Sequence, residues 1–342
     1  MVRGRRVGVM AMVLGLLVAG CATDPTAKYT ADGISRESGL VTAAGRGDLE
    51  AVNAFLESGV SAEARDAEGG TALIAAAAGG HEAVVDALLA KGATVNAKRE
   101  SGWNAVLGAA ERGHVDVLKK LLDAGGDANA AATNAFSPLM GAAQSGKSDA
   151  VAALLAKNAD VDFANKEGWT ALMAAIDAGN TEGVRLLLQK GADANTSNAD
   201  GWTAVMAAAA NGRAELLKML IEAGGNANAA NADGWTPLMA ATEKGHTDAA
   251  RLLVEHKANV NAKSKSGWTA LMGAADEGKA DLVKVLLDGG ADPRVQNSDG
   301  ANAAVYAHHA GHTQALELLG GVAAVPESFR AAANASAKKN NQ

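Results

Sequence analysis

Apolar residues along this chain follow a helical period in short segments, and the segments recur at a constant distance. One kind of segment reads Ala-Leu-Met-Ala-Ala, as at 171–175, and a second kind is rich in leucine and valine, as at 184–188. In the second kind the apolar positions lie three and four residues apart, which places them on one face of a helix. A glycine such as Gly179 separates the two segments. The pattern therefore predicts pairs of short helices and little regular strand.

Large aromatic residues mark the same step in successive pairs. All the tryptophans lie on one 33-residue spacing, and a phenylalanine fills the missing step; we call these residues the aromatic row: Trp103, Phe136, Trp169, Trp202, Trp235 and Trp268. A fixed spacing of this length indicates stacked repeats, in which each unit buries its apolar face only against its neighbours. Because the aromatic residues are spread along a line instead of gathered at one place, the pattern favours a binding surface over a catalytic pocket.

Recurring motifs indicate the kind of repeat. The chain contains Gly-Trp-Thr-Ala-Leu-Met at 168–173, Gly-Trp-Thr-Pro-Leu-Met at 234–239 and Gly-Ala-Asp-Ala-Asn at 191–195. Together with the period and the Leu-Leu pairs, these motifs resemble the ankyrin repeat over residues 33–321. The resemblance implies an all-α ankyrin-repeat solenoid of about nine 33-residue helix-turn-helix units joined by short finger turns.

Two other rows recur with the repeat. Methionine replaces the histidine of the family's Thr-Pro-Leu-His segment, at Met140, Met173, Met206, Met239 and Met272. We interpret this methionine row as core, with an adaptable apolar contact replacing the histidine's hydrogen bonds, rather than as a methionine-lined metal or partner site. Histidine follows the mid-repeat glycine at His81, His114, His246 and His312. By resemblance these histidines cap the second helix.

The first 20 residues have the composition of a signal peptide. Three arginines precede an apolar run from 7 to 20, which is too short to span a bilayer comfortably. Its end, Leu-Val-Ala-Gly-Cys, resembles the bacterial lipoprotein cleavage box. The resemblance implies cleavage before Cys21, lipidation of Cys21, and a tether over residues 21–32. The alternative is an ordinary cleaved signal beside a chance cysteine.

A lipid anchor would determine where the protein lies. Several acyl chains hold a protein stably on a membrane, so we expect a location on the periplasmic side of a Gram-negative membrane, with the lipid as the only membrane contact. By resemblance to enterobacterial lipoproteins, Ala22 after the cysteine favours the outer membrane over the inner. At the other end of the chain, residues 322–342 are expected to form a polar disordered tail.

Charge and motifs narrow the function. The chain has 31 Lys and Arg against 38 Asp and Glu, a net charge of −7, and an acidic surface opposes the phosphate backbone of nucleic acids. The sequence lacks a Ser–His–Asp arrangement, a metalloprotease motif and a phosphate-binding loop. His308, His309 and His312 are clustered, but without a second ligand set they are better explained as structural residues than as a zinc site. We expect no catalytic residues, no metal, no cofactor and no nucleic-acid partner.

The resemblance also places a candidate binding surface. In ankyrin repeats the residue after the finger glycine and the last residues of the first helix face a concave groove. Carried over by position, this groove contains the aromatic row, the finger residues Glu167, Asp200 and Asp233, and the helix-end residues Glu111, Arg112, Asp177, Asn211, Glu243 and Lys244. Exposed aromatic residues are typical of protein-binding hot spots. Alternatively, each ring packs over the next finger and forms no surface.

These features predict a non-catalytic scaffold or inhibitor that is monomeric by itself and binds a partner protein in the groove. A cell-envelope enzyme is a reasonable target for such a tethered protein. The alternative function is binding of a glycan or of peptidoglycan, since rows of aromatic rings also stack on sugars.

The anchor can be tested directly. Cys21→Ser removes the thiol that would carry the lipid, so we expect the protein to leave the detergent-soluble membrane fraction and to incorporate no labelled palmitate. Fractionation of cells that express each form makes the comparison, with the unchanged chain as the control. A Cys21→Ser chain that stays in the membrane fraction and still takes up palmitate would contradict the lipoprotein interpretation.

Overall fold

The computed structural model describes residues 24–330, except for the side chain of Asp32, so the signal segment and Cys21 lie outside the described residues. Residues 24–330 contain nine pairs of α-helices. The first helices of the pairs are α1 (Arg36–Gly45), α3 (Ala72–Gly79), α5 (Ala105–Arg112), α7 (Pro138–Gln144), α9 (Ala171–Ala178), α11 (Ala204–Ala210), α13 (Pro237–Glu243), α15 (Ala270–Asp276) and α17 (Ala303–His309). The second helices are α2 (Leu49–Glu57), α4 (Glu82–Ala90), α6 (Val115–Asp123), α8 (Ser148–Ala156), α10 (Thr181–Gln189), α12 (Ala214–Glu222), α14 (Thr247–Glu255), α16 (Ala280–Asp288) and α18 (Thr313–Leu318). The predicted all-α solenoid of about nine units is confirmed.

Each first helix begins after an N-cap residue that has a polar side chain. Thr170 Oγ1 accepts a hydrogen bond from the backbone N–H of Met173 at 3.4 Å, which satisfies one of the unpaired amides of the first turn. The equivalent threonines of the following three units do the same. Pro138 and Pro237 occupy the first turn of their helices, where a missing N–H carries no cost. The helix starts are therefore encoded within each unit.

The nine pairs stack in two layers. Each first helix contacts the first helices of the adjacent units, and each second helix contacts the second helices of the adjacent units. One continuous apolar core runs through the stack. The methionine row lies in this core, with at most 2% of any of its residues exposed. The interpretation of this row as core is confirmed. None of the helices within residues 24–330 is long and apolar enough to cross a membrane.

A row of acidic and amide side chains joins the loops that follow the second helices, and we call it the loop ladder. Its members lie 33 residues apart: Glu63, Asn96, Asn129, Asp162, Asn195, Asn228 and Asn261. Each side-chain oxygen accepts a hydrogen bond from a backbone N–H of the next unit, at 2.5 to 2.9 Å. The asparagines also donate from Nδ2 to a carbonyl of that unit, at 3.0 to 3.3 Å. Glu63 and Asp162 cannot donate, since a carboxylate has no N–H.

Histidine rings make a second connection between units. His81 Nε2 lies 3.0 Å from the carbonyl oxygen of Gly45, and His114 and His312 contact the preceding unit in the same way at 3.1 and 2.9 Å. All four histidines of this row, His246 included, stand at the start of second helices, but their side chains accept no capping bond from those helices. The expected capping role is therefore corrected: in the other three, the ring bonds a backbone carbonyl of the neighbouring unit instead of its own helix.

The segment before α1 packs on the first unit. Two 3₁₀ helices, Ala27–Tyr29 and Ala31–Gly33, lie within the segment that the sequence predicts to be a tether. Tyr29 is 4% exposed, and its hydroxyl donates to Asp48 Oδ2 at 2.8 Å. The nearby ammonium of Lys28, 2.7 Å from the same carboxylate, lowers the pKa of Asp48. Residues 27–33 are thus ordered, because the Tyr29 ring covers apolar surface that no preceding unit buries.

The last unit is covered in a similar way. A 3₁₀ helix, Gly321–Ala324, follows α18, and Asn302 Nδ2 donates to the carbonyl of Ala324 at 2.8 Å. Val325 is 1% exposed and belongs to the core. The expectation of a disordered tail from residue 322 is therefore wrong for 322–330, because Val325 and Phe329 are apolar and cover the open end of the stack. Residues 331–342 lie outside the described residues.

The loop ladder makes a testable contribution to stability. Asn195→Ala removes both of its bonds, and since a net hydrogen bond contributes about 1 kcal/mol, we expect the free energy of unfolding to fall by roughly 1–2 kcal/mol. Asn195→Asp keeps the acceptor and loses only the bond to the Gly224 carbonyl, so its cost is expected to be about half as large. Urea unfolding followed by circular dichroism measures both.

The reciprocal variant provides the control. Asp162→Asn supplies the missing donor and is expected to stabilise the chain by roughly 0.5–1 kcal/mol. Equal stability of Asn195→Ala, Asn195→Asp and the unchanged chain would show that the ladder contributes nothing.

Candidate functional site: the groove face

The finger turns position the aromatic row. Asn198 Oδ1 accepts hydrogen bonds from the backbone N–H groups of Trp202 and Asp200, at 2.8 and 3.0 Å. The backbone N–H of Asn198 donates in turn to the Trp202 carbonyl at 3.0 Å, which closes a tight hairpin. Asn165 and Asn231 build the fingers of Trp169 and Trp235 in the same way. An asparagine four residues before the tryptophan therefore fixes the backbone from which each of these rings projects.

Adjacent fingers are bonded to each other. The backbone N–H of Ala199 donates to the Glu167 carbonyl at 2.8 Å, and that of Lys265 donates to the Asp233 carbonyl at 2.8 Å. Gly168 has a φ of +80°, and a Cβ at that position would lie 2.8 Å from the Cα of Asn198. Only glycine allows this close approach in this conformation. At these junctions the spacing of the fingers is therefore set by backbone contacts between them.

The finger that carries Phe136 departs from this design. Alanine stands at 132, where the fingers of Trp169, Trp202 and Trp235 have asparagine, and Ala135 adopts a φ of +60°, where most other fingers have glycine. Asn134 Oδ1 accepts the hydrogen bond of the Phe136 N–H at 3.1 Å instead. An alanine in the left-handed region costs about 1–2 kcal/mol relative to the right-handed helical region. This finger therefore keeps the common geometry with different residues and under strain.

Two neighbouring rings enclose a cleft. The Phe136–Trp169 cleft has a volume of about 240 Å³ and lies between the fourth and fifth units. Its remaining lining comes from Met140, Gln144, Asn165, Thr170, Ala174 and Asp177. Finger residues and helix-end residues thus line one concavity, as the groove prediction requires. Of the predicted site residues, the cleft brings together Phe136, Trp169 and Asp177.

A second cleft lies two units nearer the N-terminus, between the second and third units. The Trp103 cleft has a volume of about 440 Å³ and is lined by Ile74, Ala75, Ala78, Arg99, Ser101, Trp103, Glu111 and Arg112. It brings the predicted residues Trp103, Glu111 and Arg112 together and adds Arg99, which the sequence did not indicate. This cleft carries two guanidinium groups and one carboxylate, whereas the Phe136–Trp169 cleft carries one carboxylate and no cation.

The remaining predicted site residues lie outside these two clefts. The side chains of Glu167, Asp200, Glu243 and Lys244 are exposed. Asp233 is exposed as well and forms a long ion pair with Lys265, at 3.8 Å. Asn211 contacts another predicted residue, because its Nδ2 donates to Asp177 Oδ1 at 3.0 Å. Asn211 therefore orients the carboxylate of the Phe136–Trp169 cleft from the next unit.

The aromatic row is closed at both ends. Gly70 stands at the position that precedes Trp103 in the row, and the guanidinium of Arg99 covers it, within 3.0 Å of where a Cβ would be. At the other end the rings of Trp268 and Tyr306 meet edge to face, with centroids 4.8 Å apart at 72°. Burial, together with the nearby carboxylates of Asp299 and Asp276, raises the pKa of the Tyr306 hydroxyl. Trp268 is therefore a packing residue more than a contact surface.

The rings in the middle of the row are partly buried and partly exposed. The residues of the row are all partly buried, and Trp103, Phe136, Trp202 and Trp235 pack against the core while a part of each stays exposed. Trp169 lines the cleft and is likewise only partly buried. The two interpretations offered by the sequence, packing and surface, therefore both apply, and the balance between them changes along the row.

Models of known protein families agree with this architecture. A model of three ankyrin repeats matches residues 11–99, 40–132, 106–198 and 191–264, and a model of many ankyrin repeats matches residues 253–307. The chain belongs to the ankyrin repeat family. The crystal structure of the human ASB11 ankyrin repeat domain is similar over 63% of this chain and 96% of that domain, with 28% sequence identity and a TM-score of 0.58. No curated protein matches the chain.

Membership in the ankyrin repeat family has a general functional meaning. Ankyrin repeat domains mediate protein–protein binding and are typically non-catalytic scaffolds. Within residues 24–330 no group of three or more histidine, cysteine, aspartate or glutamate side chains is arranged to hold a metal ion. Binding of another protein is therefore the general role that membership in this family indicates.

Two rings of the aromatic row, one packed and one lining a cleft, provide a prediction. Trp268→Ala removes a ring that packs on Tyr306, and we expect the free energy of unfolding to fall by roughly 2–4 kcal/mol. Trp169→Ala removes a ring that lines an open cleft, so we expect less than about half of that loss. Thermal or urea unfolding of both variants makes the comparison. A Trp169→Ala chain as unstable as the Trp268→Ala chain would make the whole row core.

Proposed function

We propose that this ankyrin repeat chain is a lipid-anchored, non-catalytic binding protein on the periplasmic side of a Gram-negative membrane, and that it holds a partner protein against its groove face. The partner is a folded protein or an extended segment of one, and a cell-envelope enzyme fits this description. The outer membrane is the proposed location of the anchor, which is carried by Cys21.

One observation carries the binding part of this proposal. Rings from consecutive fingers and side chains from the ends of first helices line the same cleft, where Phe136, Trp169 and Asp177 meet. Partly exposed aromatic residues on rigid backbone lose little conformational freedom on binding and supply large contact areas. The finger of Phe136 is bonded to the preceding finger through Thr133 N–H and the Ser101 carbonyl, and the finger of Trp169 to the following finger through Ala199 N–H and the Glu167 carbonyl, both at 2.8 Å, so the backbone that carries the two rings is fixed before a partner arrives. Such preorganisation lowers the entropic cost of association.

The anchoring part rests on the sequence of the first 21 residues, which lie outside the described residues. The described part of the chain is compatible with tethering, because its groove extends along the repeats while the anchor is attached before the first of them. The residues ordered on the first unit, 27–33, would leave a short connection between the lipid and the solenoid. A partner would therefore be held close to the membrane surface.

The experiment compares two triple variants in cells. In the groove variant, Trp169, Trp202 and Trp235 are changed to Ala. In the control variant, Arg185, Lys218 and Arg251, which are exposed on the second helices of the same three units, are changed to Ala. Both are expressed at equal levels, crosslinked in intact cells and analysed by mass spectrometry. We expect recovery of the crosslinked partner to fall at least tenfold for the groove variant and to stay unchanged for the control.

The contrary outcomes are specific. Unchanged recovery with the three tryptophans removed would leave the row as packing only and end the groove proposal. Retention on purified peptidoglycan sacculi that depends on the same tryptophans, without a crosslinked protein, would show that the surface binds glycan instead.

A further inference from the structure

We infer that the Phe136–Trp169 cleft takes an arginine side chain of the partner protein, with the guanidinium beside the two aromatic rings and against Asp177. This inference rests on the proposed function and names the chemistry that the partner must present. It concerns one cleft of the groove face, between the fourth and fifth units.

The lining of the cleft suits a planar cation. Phe136 and Trp169 come from consecutive fingers and line the same cavity of about 240 Å³. Within residues 24–330 these two rings are not in stacking or edge contact with each other, unlike those of Trp268 and Tyr306. A cation near an aromatic face is attracted by the ring quadrupole, and arginine stacks on such faces more readily than lysine. The cavity therefore offers the parts of both rings that line it and stay exposed.

The charge of the cleft also favours an arginine side chain. Asp177 is the charged residue of its lining, and within residues 24–330 its carboxylate has no lysine, arginine or histidine nitrogen within ion-pair distance. Asn211 Nδ2 donates a hydrogen bond to Asp177 Oδ1 at 3.0 Å. In the described part of the chain, Asp177 Oδ2 accepts no hydrogen bond. A guanidinium donates to carboxylate oxygens in a fixed fork geometry. Gln144, at the end of α7, provides a further acceptor in the lining.

The Trp103 cleft provides the contrast. The Trp103 cleft also contains a tryptophan and a carboxylate, Glu111, but its lining includes the guanidinium groups of Arg99 and Arg112. A third cation there would meet like charge. The same repeat position thus carries opposite electrostatics in two clefts that lie two units apart, so an arginine of the partner would be directed to the Phe136–Trp169 cleft.

The test uses the full chain in detergent and two peptides that differ in charge at one side chain. The probes are acetyl-Gly-Gly-Arg-Gly-Gly-amide and the same peptide with citrulline, which keeps the shape but is neutral. Binding is followed by the NMR resonance of the Trp169 indole N–H, with the Trp103 indole as the internal control. We expect the arginine peptide to bind at least about fivefold more tightly than the citrulline peptide and to shift Trp169 but not Trp103.

A matched variant isolates the carboxylate. Asp177→Asn keeps an oxygen that can accept the Asn211 bond, so the cleft should keep its shape, and the preference for arginine is expected to fall below about twofold. Equal affinity of the two peptides for the unchanged chain would overturn the inference, and so would an unchanged preference in Asp177→Asn.

The inference and the proposed function can fail separately. If the triple tryptophan variant loses the crosslinked partner while Asp177→Asn retains it in full and the arginine peptide shows no preference, the groove binds a partner by another chemistry. If the peptide preference holds and depends on Asp177 but the triple variant retains the partner, the cleft is a cation site outside the partner's footprint, and the inference about the partner's arginine is wrong.

Discussion

The hydrogen bonds and apolar contacts between one unit and the next are the interaction on which this molecule depends. A single helix pair exposes an apolar surface on both sides and cannot be stable alone. The loop ladder, the histidine rings and the bonds between fingers each cross from one unit to its neighbour, and each kind recurs at intervals of 33 residues or a multiple of 33. Each connection also sets the distance between equivalent side chains. The stacking of the units therefore forms the groove and also sets the spacing of the aromatic residues.

This origin explains why equivalent residues differ in availability. Trp169 and Trp268 occupy the same position of the repeat, yet one lines an open cleft and the other lies against Tyr306. The difference arises from the next unit, which has Ala207 at the equivalent position in the first case and Tyr306 in the second. A ring in such an array is exposed or covered according to what its neighbour presents. In a solenoid of this kind, the small differences in sequence between units thus determine which residues are available for binding.

The sequence alone predicts the features that every unit repeats. It does not predict the contacts that a particular pair of residues makes. The 33-residue spacing of Trp169 and Trp202, with the glycines before them, predicts the fold because every unit repeats the same information. The burial of the methionine row followed from the same pattern. The loop ladder was also visible as a periodic Asn or Asp, at Asn195 and its equivalents, but its role needs the distance to the next backbone. The covering of Gly70 by Arg99 and the order of residues 322–330 depend on contacts at the ends, where no period exists.

The loop ladder has a consequence for the mechanics of the solenoid. Asp162 contributes one bond to its junction where the asparagines contribute two, and this junction joins the units that carry Phe136 and Trp169. On the other side of the same junction, Asn180 is buried. Its Nδ2 donates a hydrogen bond to the Ala143 carbonyl at 3.4 Å, and its Oδ1 accepts one from the Ser148 hydroxyl at 2.8 Å. The two edges of this junction therefore differ in how firmly they are bonded. Glu63 also contributes a single ladder bond, so if the chain is anchored and holds a partner as we propose, tension between the two would open the edges at Asp162 and Glu63 before those with two bonds.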